Sequence, residues 1–379
     1  MINKVYLIWG SWYIDINNLN FEKQESDYLS WKMKNSTYWF DITKFFIDKY
    51  GKDNVVNCLV KWEWEYKNIL WYKWYYKKWF KLFKEIWKNR KNSLVIFHWL
   101  YPWVLIFSVI PCKHKAWWRH AIIWPYNRAS KKIKWCAMIF IQIFFQIFIK
   151  NIFFVNNIEK NELKKLHFKW NLIFLPISIN TTFWRNNTRI KELINSNINI
   201  TCVWNIWPNK NQLTIIKSLL NFTNITLNLV WWSLDDIYLD TIKKYINDNN
   251  LWNVILHWKL EPEKIKKILE YTDIYIQSSF QEWQCQTVME AWLTGCPLIL
   301  SDIPTFKDTF EKFALFFNPN DEEELWNKIN EMIDNHYKYN NNIELIDYIE
   351  NWSIENFFNQ LEKFNTEILK YEQNGNTHN

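Results

Sequence analysis

Two glutamates, Glu282 and Glu290, stand eight residues apart in SSFQEWQCQTVMEAWLTGCPLILSD, residues 278–302. The stretch reads as the end of a strand, a short loop, a helix and a further strand. Glu282 falls in the loop and Glu290 on the helix. A carboxylate at 290 can take both hydroxyls of a ribose, and one at 282 stands at the mouth, where a sugar would sit. The turn between them, Trp283–Gln286, contains Cys285 and enters the helix at Gln286 and Thr287, whose N–H groups can face a phosphate. A second segment, NIWPNK (205–210), also follows a strand and brings Lys210 to the start of a helix. Taken singly, these are weak signals. Two glutamates at this spacing are most often a solvated pair, and a single lysine is most often a surface lysine. The shared strand–loop–helix context makes them a candidate site for a phosphate-bearing sugar.

The elements that must position these residues alternate strand and helix, which means parallel sheets with helices on both faces. KVYLI opens the chain and runs into the turn Trp9-Gly10-Ser11-Trp12. A helix over 41–50, a strand over 54–60 and a loop with a basic helix over 61–92 follow. Buried strands are expected at 92–99, ending in His98, and at 117–124, around His120. A long apolar helix over 131–149, the strand NIFFVNN, the helix EKNELKKL and the strand NLIFLPI complete the first half. PISINTTF (176–183) breaks the pattern. The second half restarts it with strands at 197–204, NITLNLV, NVILH, DIYIQSS and PLILSD, and helices over 209–221, 235–248, 261–270 and 286–294. The expected organisation is a Rossmann-like domain over 1–178 and a second doubly wound domain over 179–350. The amphipathic helix 353–372 is expected to pack back on the first. In such sheets ligands bind at the carboxyl ends of the strands.

Composition narrows the class. At 379 residues and 49% hydrophobic, the chain can bury two cores. Residues 1–180 carry 29 Lys and Arg against 12 Asp and Glu, while the remainder carries 17 against 27. A basic first half suits an anionic partner such as a membrane surface, although a solvated lysine-rich face gives the same count. Six cysteines without a CxxC pair point to a reducing compartment, with neither structural zinc nor disulfides. No signal peptide is evident, and the apolar run Met138–Ile149 is too short to span a bilayer. The cytoplasm, or its membrane face, is the expected location.

Tryptophan is the anomaly, with 28 Trp against 4 Gly. Together they make an ordinary glycine share. The tryptophans fall where glycine is expected, as at Trp9 beside Gly10, in the doublets Trp117–Trp118 and Trp231–Trp232, and at Trp283 in the loop after Glu282. A chain truly rich in tryptophan would place it on core faces with regular period, whereas these fall at predicted turns, where glycine readily takes positive φ. The reading that follows is that UGA codons meaning glycine are written here as tryptophan.

Glu282-x7-Glu290, within SSFQEWQCQTVMEAWLTGCPLILSDIP, resembles the signature of GT-B glycosyltransferases of the family 4 type (glycosyl transferases group 1), with Trp283 on the family's glycine. VWNIWPNKNQ, LVWWSLDD and NVILHWKLEPEKI resemble three further segments, with Trp204 and Trp258 on glycines. FVNNIEKNELKK and FLPISINTTFW resemble the close of the first domain and the linker. The likeness is specific over about 150–310 and loose before 95. It implies two doubly wound domains facing each other across a cleft. It also implies transfer, with retention, from a nucleoside-diphosphate sugar to a glycan or lipid-linked acceptor, with no cofactor and no metal. Carried over residue by residue, Lys210 meets the diphosphate, Glu290 the ribose, Glu282 the donor sugar, and the amides near Cys285, Gln286 and Thr287 the distal phosphate. Asn205 stands where the family has arginine, which places more of the phosphate charge on Lys210. His120 falls near the family's first-domain histidine at the donor sugar; a core histidine fits it nearly as well. The rivals are a sugar-nucleotide epimerase, a phosphorylase, and a non-catalytic basic protein binding membrane or nucleic acid. The paired glutamates argue against the last, and no nucleic-acid partner is expected.

Overall fold

The computed structural model describes residues 2–9, 38–59, 66–69, 72–75, 79–98, 107–118, 147–165, 171–185, 197–220, 222–231, 235–335 and 349–375. Two compact units emerge. One runs to Ser178 and takes in the C-terminal segment from Glu355; the other spans Ile179–Ile354.

The first unit is built on eight strands: β1 (Lys4–Trp9), β2 (Val55–Leu59), β3 (Tyr66–Ile69), β4 (Tyr72–Tyr75), β5 (Ser93–His98), β6 (His114–Trp118), β7 (Asn151–Phe154) and β8 (Asn171–Phe174). Their order is β3-β4-β2-β1-β5-β6-β7-β8. All pairings are parallel except β3 with β4. Every residue of β5 is buried, as a parallel sheet covered on both faces requires. The helix Asn157–Lys165 starts with a variant of the capping box. Asn156 Oδ1 accepts from the Glu159 N–H at 2.8 Å, and the Glu159 carboxylate accepts from the Val155 N–H at 2.9 Å. The C-terminal helix Ile354–Gly375 presents Phe357, Leu361, Phe364 and Ile368, one helical face by their spacing. All four are buried in the same core as Val5, Leu7, Leu94 and Phe153.

The second unit is a six-stranded parallel sheet of β9 (Ile198–Val203), β10 (Ile225–Trp231), β11 (Val254–Trp258), β12 (Ile274–Gln277), β13 (Leu298–Ser301) and β14 (Ala314–Phe317). The order is β11-β10-β9-β12-β13-β14. Its chain reverses direction of build between β9 and β12, which pair through Ile200 with Ile274 and Thr201 with Tyr275. That reversal is the switch point where such sheets open a crevice for ligands. The two doubly wound sheets make this a GT-B fold.

Several local expectations are corrected. Residues 66–69 and 72–75, read as loop, form the antiparallel pair β3–β4, with Tyr66 opposite Tyr75 and Ile69 opposite Tyr72. Aromatic side chains favour strands, and lysines at an edge discourage further pairing. The strand placed at 117–124 starts earlier, at His114, and is described to Trp118; residues 119–124 lie outside the described residues. The helix placed at 209–221 is shorter, Gln212–Ser218, after a single 3-10 turn at Pro208–Lys210. His120, Gly10, Trp232, Cys136 and most of the apolar segment 131–149 lie outside the described residues. Among the described residues no helix is long and apolar enough to cross a membrane.

The tryptophans also correct an expectation. Trp117 and Trp118 are buried within β6, Trp231 is buried at the end of β10, and Trp184 is buried in the short helix Thr181–Trp184. Positive φ occurs at Gly51, Asn211, Asn250, Lys259 and Gly295, and no described tryptophan is among them. Freedom of φ is therefore not what these positions demand. The indole N–H groups of Trp184 and Trp231 are buried without a hydrogen-bond partner among the described residues. An orphaned donor of that kind costs about 1–3 kcal/mol.

Candidate active site

Both halves of the candidate site leave the sheet at the switch point. Residues 204–210 follow β9, and residues 278–285 follow β12. The two loops are stitched together by backbone and side chain. Phe280 N–H donates to Asn209 O at 2.9 Å, and Asn209 Nδ2 donates to Gln281 O at 2.9 Å. Ser278 Oγ reaches the carbonyls of Lys210 and Asn211, each at 2.9 Å. Thr305 Oγ1, entering the helix after β13, donates to Glu282 O at 2.7 Å.

This stitching places two charges in contact. Lys210 Nζ lies 2.7 Å from Glu282 Oε1, with side-chain exposures of 13% and 5%. Ser279 Oγ donates to the same carboxylate oxygen at 2.6 Å. A buried pair of this kind holds only when its remaining hydrogen bonds are also made. Asn211 makes the approach possible. It adopts the left-handed conformation (φ 56°) directly after Lys210, which asparagine tolerates better than most residues. Its side chain is held between Pro319 O (2.7 Å) and Thr214 Oγ1 (2.9 Å).

Glu290 lies one helical stretch away, on the helix Gln286–Leu293. Its carboxyl has no hydrogen-bond or ion-pair partner among the described residues. The residue keeps partial exposure, yet burial of the carboxyl pushes its pKa up to about 8. A desolvated acid without a partner costs stability when ionised. It therefore marks a place that a ligand can satisfy. The N-cap of this helix, Cys285, gives no side-chain capping bond, and burial pushes its thiol well up, with the Glu282 charge adding to the effect. Thr287 is buried.

The remaining expected residues divide. Asn205, at the arginine position, points no cation at the site; its Oδ1 is buried without a partner among the described residues. Its backbone carbonyl accepts from Gln212 Nε2 at 2.8 Å. Trp204 places its ring 4.1 Å from Lys210 Nζ, an indole over the ammonium expected to meet phosphate. Trp283 sits partly exposed in the loop beside Glu282. Trp9 ends β1, in register with His98 of β5; His98 is fully buried, its ring 5.3 Å from that of Trp118. Among the described residues no group of three or more His, Cys, Asp or Glu is arranged to hold a metal ion. Ser279, Thr305 and Asn211 were not singled out in the sequence. For Asn211 a signal existed: asparagine is one of the few residues other than glycine that visit the left-handed region.

Fold and site together define the class, a GT-B protein whose second unit carries a lysine–glutamate pair at the switch point. Residues 185–348 match the family model described as "Glycosyl transferases group 1". Protein CapJ of Staphylococcus aureus is 29% identical over 160 residues, covering 41% of this chain and 40% of that relative's length. Among solved structures, Anabaena Alr3699/HepE in complex with UDP superposes with a TM-score of 0.71 at 11% identity, covering 96% of this chain and all of that one. A glycosyltransferase from Rickettsia africae ESF-5 superposes with a TM-score of 0.67 at 15% identity, covering 97% and 99%. At these identities the structural likenesses establish the fold.

Proposed function

We propose that the protein is a retaining glycosyltransferase that moves a sugar from a nucleoside-diphosphate sugar to a glycan or lipid-linked acceptor in cell-surface polysaccharide or glycolipid assembly. The observation that carries this reading is the Lys210–Glu282 pair at the switch point, with the unpartnered, desolvated Glu290 on the next helix. The domain match supports it, as does the structure of HepE with UDP-glucose. In this reading Glu290 receives the ribose hydroxyls. Lys210 and the amides at Gln286 and Thr287 receive the diphosphate and stabilise it as it leaves, the interaction that such transfer needs most. Glu282 meets the donor sugar. No metal or cofactor takes part, and the enzyme works in the cytoplasm or at the inner face of the membrane. Thermal shift against a panel of nucleotide-sugars, followed by assay of nucleoside-diphosphate release, tests it. A protein that neither binds nor cleaves any of them is not a transferase.

The written tryptophans belong to the same proposal. Glycine at 204 and 283 lifts an indole off Lys210 and clears the loop beside Glu282. Glycine at 231 removes a buried N–H without a partner. The protein made by its host therefore carries glycine at 204, 231, 232, 258 and 283, read from UGA, and peptide mass spectrometry on that protein tests it.

A further inference from the structure

The strand that leads into the Glu282 loop carries two polar side chains where the sheet is dry. Tyr275 and Gln277 of β12 are both fully buried. Burial of such groups is tolerated only when their hydrogen bonds are made, and here they form one continuous chain. Tyr275 OH lies 3.0 Å from Gln277 Oε1. Gln277 Nε2 donates to Ser279 Oγ at 2.8 Å. Ser279 Oγ donates to Glu282 Oε1 at 2.6 Å, and Lys210 Nζ reaches the same oxygen at 2.7 Å.

From Gln277 to Glu282 the direction of this chain is fixed by chemistry. Glu282 as a carboxylate can only accept, so Ser279 must be the donor to it. With its one proton committed, Ser279 oxygen must accept from Gln277, which turns the amide nitrogen toward Ser279 and the amide oxygen toward Tyr275. That oxygen has no proton to give, so in this contact Tyr275 is the donor, and Val203 O at 3.3 Å is a second acceptor for the same proton. Thr287 Oγ1, on the first turn of the helix that bears Glu290, lies 3.1 Å from the same Tyr275 hydroxyl as a further acceptor. Each link polarises the next in the same sense.

We infer that Tyr275 and Gln277 are positioning residues: acting through Ser279, their hydrogen bonds hold the Glu282 carboxylate in the orientation in which it meets the donor sugar. This rests on the transferase reading, because it assigns Glu282 a reacting partner. No tryptophan takes part in the chain, so it stands whether positions 204 and 283 hold tryptophan or glycine.

The test compares Gln277→Leu, Ser279→Ala and the double variant in the full-length protein. The donor is UDP-glucose, or whichever member of a nucleotide-sugar panel the wild type cleaves fastest. UDP binding is followed by calorimetry. Each single variant is expected to lower kcat about tenfold while KM and the Kd for UDP stay within about twofold. The double variant is expected to be no worse than Ser279→Ala, because both act through one hydrogen bond to Glu282. Ser279→Thr, which keeps the hydroxyl, is expected to restore kcat. An unchanged kcat in Gln277→Leu, or a parallel loss of kcat, UDP affinity and thermal stability, overturns the positioning role and leaves the transferase reading intact. A wild-type protein that neither binds UDP nor cleaves any donor removes that reading and this one with it.

Discussion

Lys210 Nζ and Glu282 Oε1, brought together from loops 72 residues apart in the chain, lie 2.7 Å from one another under the same two loops that would receive a nucleotide. The sequence places each beside a different part of a ligand; the structure bonds them to each other. A lysine ammonium has three donors, and Glu282 takes one of them, so a diphosphate would share Lys210 with Glu282 and would not displace it. In the proposed transferase the pair would work as one unit, Glu282 fixing the ammonium for the phosphate and the ammonium fixing the carboxylate for the sugar.

Substitutions at the three charged residues should separate along these lines. Assayed above pH 8, where the Glu290 carboxyl is ionised, Glu290→Ala is expected to weaken donor binding by roughly ten- to a hundredfold, because hydrogen bonds to a charged group are worth about 1.5–3 kcal/mol. Glu282→Ala is expected to lower turnover more than affinity, since it touches the sugar that reacts. Lys210→Ala is expected to harm both, and further to leave Glu282 as a buried charge without its partner, which destabilises the protein. Steady-state kinetics and calorimetry on the three variants check this. Intact nucleotide affinity in Glu290→Ala, together with its loss in Glu282→Ala, would reverse the two assignments.

Glu290 also predicts a pH dependence of stability. Its carboxyl titrates near 8 in the folded protein, against an ordinary value of about 4.5. Between those values the native state binds a proton that the unfolded chain has released, so this residue lowers stability as pH rises from about 4.5 to 8. Glu290→Gln should remove that contribution. Its Tm relative to wild type is expected to be higher at pH 8.5 than at pH 5. Thermal melts across that range check it, and parallel wild-type and variant profiles would show that Glu290 is not desolvated.

How much of this was legible beforehand follows from what kind of interaction each feature needs. The alternation of strand and helix is local, so both doubly wound sheets could be read from apolar runs and loop residues. Glu282 and Glu290 were legible because one short segment contains both. The β3–β4 pair was hidden because lysines and aromatics alternate there without a turn signal. The Tyr275–Gln277–Ser279 chain was hidden because residues two apart on a buried strand normally read as packing. The Lys210–Glu282 bond depends on how two loops meet after folding, which no local pattern encodes. The tryptophans divide: the scarcity of glycine suggested turns, and Trp204 and Trp283 do lie in loops, while Trp117, Trp118 and Trp231 occupy strands.

Trp204 gives a direct test of the glycine proposal in the recombinant chain. Its ring lies 4.1 Å from Lys210 Nζ, and a cation–π contact of this kind is worth about 0.5–2 kcal/mol. A diphosphate must compete with it for the same ammonium. Trp204→Gly is therefore expected to raise affinity for UDP by roughly two- to thirtyfold, the opposite of what removing a binding residue does. Calorimetry with UDP decides it. A loss of affinity on Trp204→Gly would mean that the indole itself serves the nucleotide, and that glycine is the wrong reading at this position.

The basic face of the first unit should respond to salt. The helix Trp79–Asn89 buries Leu82 and Ile86 and exposes Lys81, Lys84 and Lys88, and Lys91 extends the exposed basic face beyond its end. An anionic bilayer attracts such residues by about 1 kcal/mol each near its surface, and the attraction falls off within a Debye length. Full-length protein is expected to sediment with vesicles containing anionic lipid at low salt, to be released at high salt, and to ignore neutral vesicles. Reversing Lys81, Lys84 and Lys88 to glutamate should abolish that binding while leaving cleavage of a soluble nucleotide-sugar unchanged, because these residues belong to the first unit and the candidate donor site to the second. Absence of binding to anionic vesicles at low salt would reduce the basic face to a solvated surface. The acceptor of the proposed transfer would then have to be recognised without help from the membrane's charge.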